Sequence, residues 1–262
     1  MSRRLSIPTA DTRLDCTDSA GETPPILFLN GAFATQNDWK PVLRLLDGRY
    51  RTVTFDARAR GRTGMSTDYS FAGALDDVGR VIEATGLHRP VLVGWSYGAS
   101  LAVRYAAQHQ DNVAALLLID GAYPITQFDE AARADVQRQF RRLGPIMRVM
   151  AALGRSARMA PMEAANVVIE MDEVNGQLGR DFDALTCAIE YIVGTGPHAG
   201  ASAVDMRTMR AAATDVTTRH DNVSVFATVP CNHVQILAKA ANTIAAAIDD
   251  FAGRIPASQW SR

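Results

Sequence analysis

The sequence predicts an α/β protein built on one mostly parallel sheet. Three observations carry that expectation. Short aliphatic runs of strand length recur along the chain. Most of them are apolar on both faces, as strands covered by helices on either side read. Between them, over the N-terminal part, lie segments with helical spacing of apolar residues.

The runs come in order. Pro25 to Leu29, Arg51 to Phe55, Pro90 to Val93, Ala114 to Ile119, Ala188 to Val193 and Val223 to Val229 each stop at Gly, Asp, Asn or Pro, residues that favour turns. Helices are expected over 38–46, over 70–85 with Gly86 as terminator, over 98–108, and over 243–252 before Gly253. From 122 to about 186 the alternation stops. Helices are expected there over 129–143, ended by Gly144-Pro145, over 146–153, and over 161–175, with Pro161 at a first-turn position. The domain reading is therefore a core of residues 1–121 and 187–262, interrupted by a helical insertion over 122–186 that would act as a lid.

Composition narrows the function classes. The 262 residues are 47 % apolar, ample for a buried core, and 27 basic residues against 28 acidic give a net charge of −1. So small a net charge offers no field to attract nucleic acid or a membrane surface as a whole. The longest aliphatic run, Val113 to Ile119, is far short of the ~20 residues that span a bilayer. Cys16, Cys187 and Cys231 are odd in number and widely spaced, with no CxxC pair, so no metal site or disulfide framework is expected. The N-terminal MSRRLSIPTADTRLD lacks the apolar core of a secretory signal, and the expectation is a cytoplasmic protein. The sequence does not indicate an oligomeric state.

The chemistry concentrates in Gly94-Trp95-Ser96-Tyr97-Gly98, a G-x-S-x-G set between an aliphatic strand and a helix rich in small residues. A serine on such a turn has its hydroxyl lifted clear of the sheet, and the glycines let strand and helix pass closely. The N–H of Tyr97 then lies at a helix N-terminus, ready to bind an oxyanion. Asn30-Gly31-Ala32-Phe33 ends the first run in a glycine turn, which makes the N–H of Ala32 the natural second donor. A serine nucleophile needs a base. Of the five histidines, His88 and His109 read as surface residues and His220 precedes the last strand. His198 and His233 both follow strand ends, and the place of His233 between the final strand and the final helix favours it.

Taken together, L-N-G-A after one strand, F-D-A-R-A-R-G-R-T after the next, G-W-S-Y-G-A at the turn and His233 near the end resemble the α/β-hydrolase superfamily, in its lid-bearing, esterase- and lactonase-like form. The resemblance covers nearly the whole chain outside the insertion and implies the order Ser, acid, His. Two departures stand out. Asn30 replaces the family's usual histidine at the oxyanion turn, and Gly194 to Pro197 lacks the carboxylate that often follows the penultimate strand. Some family members carry the acid one strand earlier, which implies Asp120. Asp120 ends the run Ala114 to Ile119 and precedes Gly121. Glu190 lies within a strand and would point into a sheet face, and Asp205 and Asp215 fall in helical or loop segments.

The expected activity is hydrolysis of an ester, lactone or thioester of a small, largely apolar molecule through Ser96, His233 and Asp120, with no organic cofactor and no metal. Phe33, Trp95, Phe140, Met147 and Met150 are the candidate substrate-binding residues. Carbon–carbon bond hydrolysis and acyl transfer would use the same groups. A binding protein, or a non-hydrolytic lyase or cyclase of a biosynthetic pathway, is the alternative. Three features read as decoys. Gly194 to Gly200 has the wrong spacing for a dinucleotide loop, and Pro197 removes an N–H. Arg58, Arg60 and Arg62 read as a solvated or salt-bridged loop beside Asp56, not a phosphate site. Cys231 reads as packing.

Overall fold

A computed structural model describes residues 2–152, 157–196 and 202–256. Its strands are β1 (Ser2–Pro8), β2 (Arg13–Ser19), β3 (Glu22–Leu29), β4 (Tyr50–Asp56), β5 (Val91–Trp95), β6 (Ala115–Ile119), β7 (Ala188–Gly194) and β8 (Val223–Val229). They form one sheet in the order β1-β2-β4-β3-β5-β6-β7-β8. Only the β1–β2 and β2–β4 pairings are antiparallel, and the sheet is parallel from β4 to β8.

Side chains alternate between two cores because strand residues alternate faces. On β3, Leu27 and Leu29 enter one core while Ile26 and Phe28 enter the other, and β6 sends Leu116 and Leu118 one way and Leu117 and Ile119 the other. The first core is closed by α2 (Phe71–Thr85), α3 (Tyr97–Gln108), α5 (Pro161–Asn175), α6 (Leu178–Ala184) and α7 (Ala203–Arg219). The second is closed by α1 (Lys40–Leu46), α8 (Ile236–Lys239) and α9 (Ala241–Arg254). Each fully buried leucine of β6 is worth roughly 1.5–3 kcal/mol relative to exposure. Among the described residues, no helix is long and apolar enough to cross a membrane.

The structure departs from the sequence-based expectations at several places, α7 and α8 among the helices not anticipated. β1 and β2 were not anticipated. Most of their charged residues face out, while Leu5, Ile7, Leu14 and Cys16 turn toward the core and the buried Asp18 pairs with Arg3 and Arg51. The break expected at Gly144-Pro145 does not occur, and α4 (Glu130–Ala152) runs through Pro145. Pro145 forfeits one helical hydrogen bond, but Gly144 is buried close against Pro161 at the start of α5, so packing holds the helix together. α6 was also missed, being only seven residues long. Asp205 and Asp215 both lie on α7. Asp205 accepts from the Ser202 N–H in a capping box, and Asp215 pairs with Arg219.

Candidate active site

The parallel register sets the site. Trp95 of β5 pairs with Ile119 of β6, and Ile119 pairs with Ile192 of β7. One residue further on, the Ser96 N–H donates to the Ile119 carbonyl at 3.0 Å and the Asp120 N–H to the Ile192 carbonyl at 2.9 Å. Ser96 and Asp120 therefore stand side by side at the C-terminal edge of the sheet. Both have left-handed backbones, with φ of 56° at Ser96 and 45° at Asp120. Non-glycine residues adopt that region at a cost, and it recurs where a side chain must be aimed. The close passage at the turn is real: a Cβ on Gly98 would overlap the Leu29 carbonyl, and one on Gly94 would overlap the Gly98 carbonyl.

His233 follows β8 and completes a row. Its Nε2 lies 2.9 Å from Ser96 Oγ and its Nδ1 2.8 Å from Asp120 Oδ2. Asp120 is buried and accepts twice more through Oδ1, from the Tyr123 hydroxyl at 2.9 Å and from the Gly194 N–H at 3.2 Å. Burial alone would raise the Asp120 carboxyl. The His233 contact, the Tyr123 hydroxyl and the Gly194 amide together outweigh it and hold the carboxyl below its usual range. Burial, and then the Asp120 charge, push the Tyr123 phenol well up, so it remains a donor. Tyr123 and Gly194 were not singled out in the sequence. Gly194 belongs to the stretch whose carboxylate is missing, and here it gives an amide to a carboxylate borrowed from β6. His198 lies outside the described residues. His88 is half-buried and His109 is exposed.

The oxyanion turn closes through the Ala34 N–H on the Gly31 carbonyl at 3.1 Å. Among the described residues, neither the Ala32 nor the Tyr97 N–H donates to a protein acceptor. Asn30, at the family's histidine position, is buried. Its amide donates to the Phe55 carbonyl at 2.6 Å and its carbonyl accepts from the Trp39 indole at 2.7 Å. Asn30 thus ties β3 to β4 and to Trp39, which lies just before α1.

Of the substrate-binding candidates, Phe33 and Phe140 meet, with ring centroids 5.9 Å apart. Met147 packs against the same core. The Trp95 ring lies 5.5 Å from the His233 ring but joins the second core, on the opposite face of the sheet from Phe33. Met150 is half-buried at the far end of α4, and no contact in the structure brings it to Ser96. In the arginine loop, Arg62 is exposed and Arg58 is salt-bridged, as expected, and Arg60 is the correction. Arg58 is buried and paired with Asp77 at 2.8 Å and Asp68 at 2.9 Å. Arg60 is buried without a carboxylate partner among the described residues, so it is neither solvated nor salt-bridged. Cys231 is buried packing. No group of three or more His, Cys, Asp or Glu among the described residues could hold a metal.

Comparisons with known proteins bear on the fold. Residues 24–143 match the family model described as alpha/beta hydrolase fold. A 124-residue stretch is 30 % identical to a Caulobacter vibrioides protein named "Putative carbamate hydrolase RutD", covering 45 % of this chain and 46 % of that one. Epoxide hydrolase 3 of Xenopus tropicalis is 32 % identical over 104 residues, covering 38 % of this chain and 28 % of that one. The matches thus span less than half the length of these curated relatives. Among solved structures, an esterase from Thermogutta terrifontis superposes with a TM-score of 0.73 at 19 % identity, over 95 % of this chain and 99 % of that one. An enol-lactonase from Burkholderia xenovorans superposes at 0.72 and 16 % identity with the same coverages. Sheet order and the sharp serine turn at the end of β5 lead to one conclusion: this chain has the α/β-hydrolase fold, and its residues 24–143 are similar to the family of that name.

Proposed function

We propose that the protein is a serine hydrolase that cleaves an ester, lactone or thioester of a small, largely apolar molecule. The observation that carries this reading is the row Ser96 Oγ, His233 Nε2, His233 Nδ1 and Asp120 Oδ2, joined by contacts of 2.9 and 2.8 Å. In the reaction, Ser96 Oγ attacks the substrate carbonyl carbon as its proton passes to His233 Nε2. Asp120, kept ionised, stabilises the imidazolium and fixes its tautomer. The N–H groups of Ala32 and Tyr97 receive the oxyanion. The tetrahedral intermediate collapses, His233 returns the proton to the leaving oxygen or sulfur, and an acyl-enzyme on Ser96 remains. Water, deprotonated by His233, then releases the acid.

Phe33 and Phe140 meet, and Met147 packs against the same core, which supports an apolar acyl or alcohol portion. The esterase and enol-lactonase among the structural neighbours support the ester and lactone classes. The test is a panel of p-nitrophenyl esters of increasing chain length, aryl esters and lactones, compared by kcat/KM, with Ser96→Ala alongside. Turnover that vanishes in a folded Ser96→Ala protein is the expected result. More than a few per cent of residual kcat would sink the covalent mechanism. A wild-type protein that binds such molecules without turning them over would favour the binding-protein alternative.

A further inference from the structure

The oxyanion turn rests on a buried arginine that no carboxylate pairs with among the described residues. Ala32 is the first central residue of the turn closed by Ala34 N–H on the Gly31 carbonyl. That bond holds the peptide preceding Ala32, whose N–H is the proposed oxyanion donor. The peptide following Ala32 is the central one of the turn. A central turn peptide can rotate between the type I and type II arrangements. Here its carbonyl accepts two hydrogen bonds from Arg60, from Nε at 2.8 Å and from Nη2 at 2.5 Å. The other terminal nitrogen, Nη1, donates to the Arg58 carbonyl at 2.7 Å. The guanidinium also sits over the Phe33 ring, 5.9 Å from its centroid. Both peptides flanking Ala32 are therefore held, one by the turn and one by Arg60.

The second observation is electrostatic. Arg60 is 5 % exposed, and no carboxylate pairs with it among the described residues. Its neighbour Arg58 shows the ordinary solution, a buried arginine with Asp77 and Asp68. A buried, unpaired cation is costly and persists where the surroundings use it. Burial lowers the Arg60 guanidinium to about 10, which leaves it charged at neutral pH. A cavity of about 30 Å³ borders Arg60, Ala32 and Tyr97.

We infer that Arg60 is a positioning residue for the oxyanion site: it locks the Ala32 turn in its donating geometry and sets a positive charge behind it. The inference rests on the serine-hydrolase reading and deepens it. Its chemical content is specific. Arg60 touches neither substrate nor nucleophile, so it would stabilise the charged tetrahedral state and leave binding of a neutral substrate unchanged.

The experiment compares wild type with Arg60→Lys, Arg60→Gln and Arg60→Met. Each is measured for kcat and KM on p-nitrophenyl butyrate and for affinity toward an alkyl trifluoromethyl ketone, which forms an oxyanion adduct on the serine. Affinity for the matching non-fluorinated ketone supplies the neutral control. Removing one oxyanion donor outright costs about 10²–10³ in kcat, so a donor that is only loosened should cost about 10–100-fold. Arg60→Met and Arg60→Gln are expected to lose about that factor in kcat and in trifluoromethyl ketone affinity. Their KM and plain-ketone affinity should stay within about threefold, since only ground-state contacts set those. Arg60→Lys keeps the charge but cannot span the carbonyl with two donors, and it should fall between these variants and wild type. Full kcat in a folded Arg60→Met or Arg60→Gln protein overturns the inference. So does a loss that strikes the plain ketone and KM as hard as the trifluoromethyl ketone, which would mark a purely structural tie. If the neutral variants do not fold, Arg60→Lys decides: an unchanged ratio of the two ketone affinities overturns the inference, and a reduced ratio with unchanged KM supports it. A wild-type protein that forms no adduct at Ser96 would overturn the serine-hydrolase reading itself.

Discussion

The sheet edge and the helical stretch between β6 and β7, the proposed insertion, are held by different means. At the edge, Ser96, Asp120 and His233 stand on strand-end turns fixed by ladder hydrogen bonds, and the carboxylate is buried among three donors. The insertion is itself uneven. Its C-terminal part is fastened by half-buried polar contacts. Asp172 of α5 accepts from the Gln127 and Phe128 N–H groups, Glu170 accepts from the Phe71 N–H at the start of α2, Asn175 meets Ser100, and Asp181 of α6 pairs with Arg104. Its N-terminal helix, α4, is different. Leu143, Ile146 and Val149 are exposed there, while Phe140 is turned to Phe33. On the proposed function, the comparison separates chemistry from substrate fit. The proposed reacting row belongs to the hydrogen-bonded edge, the back of the insertion packs on the core, and α4 brings Phe140 to Phe33.

Breaking the edge should have the largest effect. Asp120→Asn keeps the shape but cannot hold the imidazolium, and kcat should fall by about 10³–10⁴. The KM should stay within a few-fold, because α4 and Phe33 are untouched. A fall of less than tenfold in steady-state kcat would mean that another group orients His233.

The fastened part of the insertion should show itself in stability instead. Asp172→Ala leaves the Gln127 and Phe128 amides without their carboxylate and should cost about 2–3 kcal/mol, lowering Tm by about 5–10 °C for a chain this long. Calorimetry that shows no change would mean that the insertion does not depend on this anchor.

How much of this was legible in the sequence follows the same physics. β3 to β8 were readable because strands buried on both faces leave continuous aliphatic runs. β1 and β2, with one polar face, were not. Ser96 and Asp120 directly follow strands, and His233 lies in the short stretch after β8, so chain position alone places all three near the sheet edge. Tyr123 and Arg60 were not readable, because their partners are 3 and 28 residues away and involve a carboxylate and a carbonyl. Charge in a loop normally means solvent, and only the folded turn shows Arg60 beneath Ala32. Pro145 misled for a related reason: local propensity breaks the helix, and the contact with Pro161 that overrides it is tertiary.

The edge can be sharpened by pH. The Asp120 carboxyl lies lower in the folded protein than its ordinary unfolded value of about 3.9. Its contribution to stability is therefore fully present above that pH and is lost as pH falls through the folded value. Between pH 5 and pH 2.5 the Tm of wild type should decline more steeply than that of Asp120→Asn. Parallel curves would mean that the carboxylate is not stabilised by its three donors.

The smallest effect belongs to α4. Phe140→Ala removes the ring facing Phe33 across a half-buried contact. KM for long-chain esters should rise about 3–10-fold, the size expected for one or two methylenes' worth of apolar contact. Tm should move by less than the Asp172→Ala shift. A collapse in kcat for short esters would show that α4 belongs to the reacting edge after all.

The central claim is that Ser96 is a nucleophile activated by His233, and covalent labelling tests it most directly. The protein is treated with an alkyl fluorophosphonate at neutral pH, and the intact mass and the modified peptide are read by mass spectrometry. The account expects one adduct, on Ser96, absent in Ser96→Ala and slowed at least about 100-fold in His233→Ala, since the hydroxyl is a weak nucleophile without its base. A folded wild-type protein that takes no label at Ser96, or that labels equally fast without His233, would contradict it.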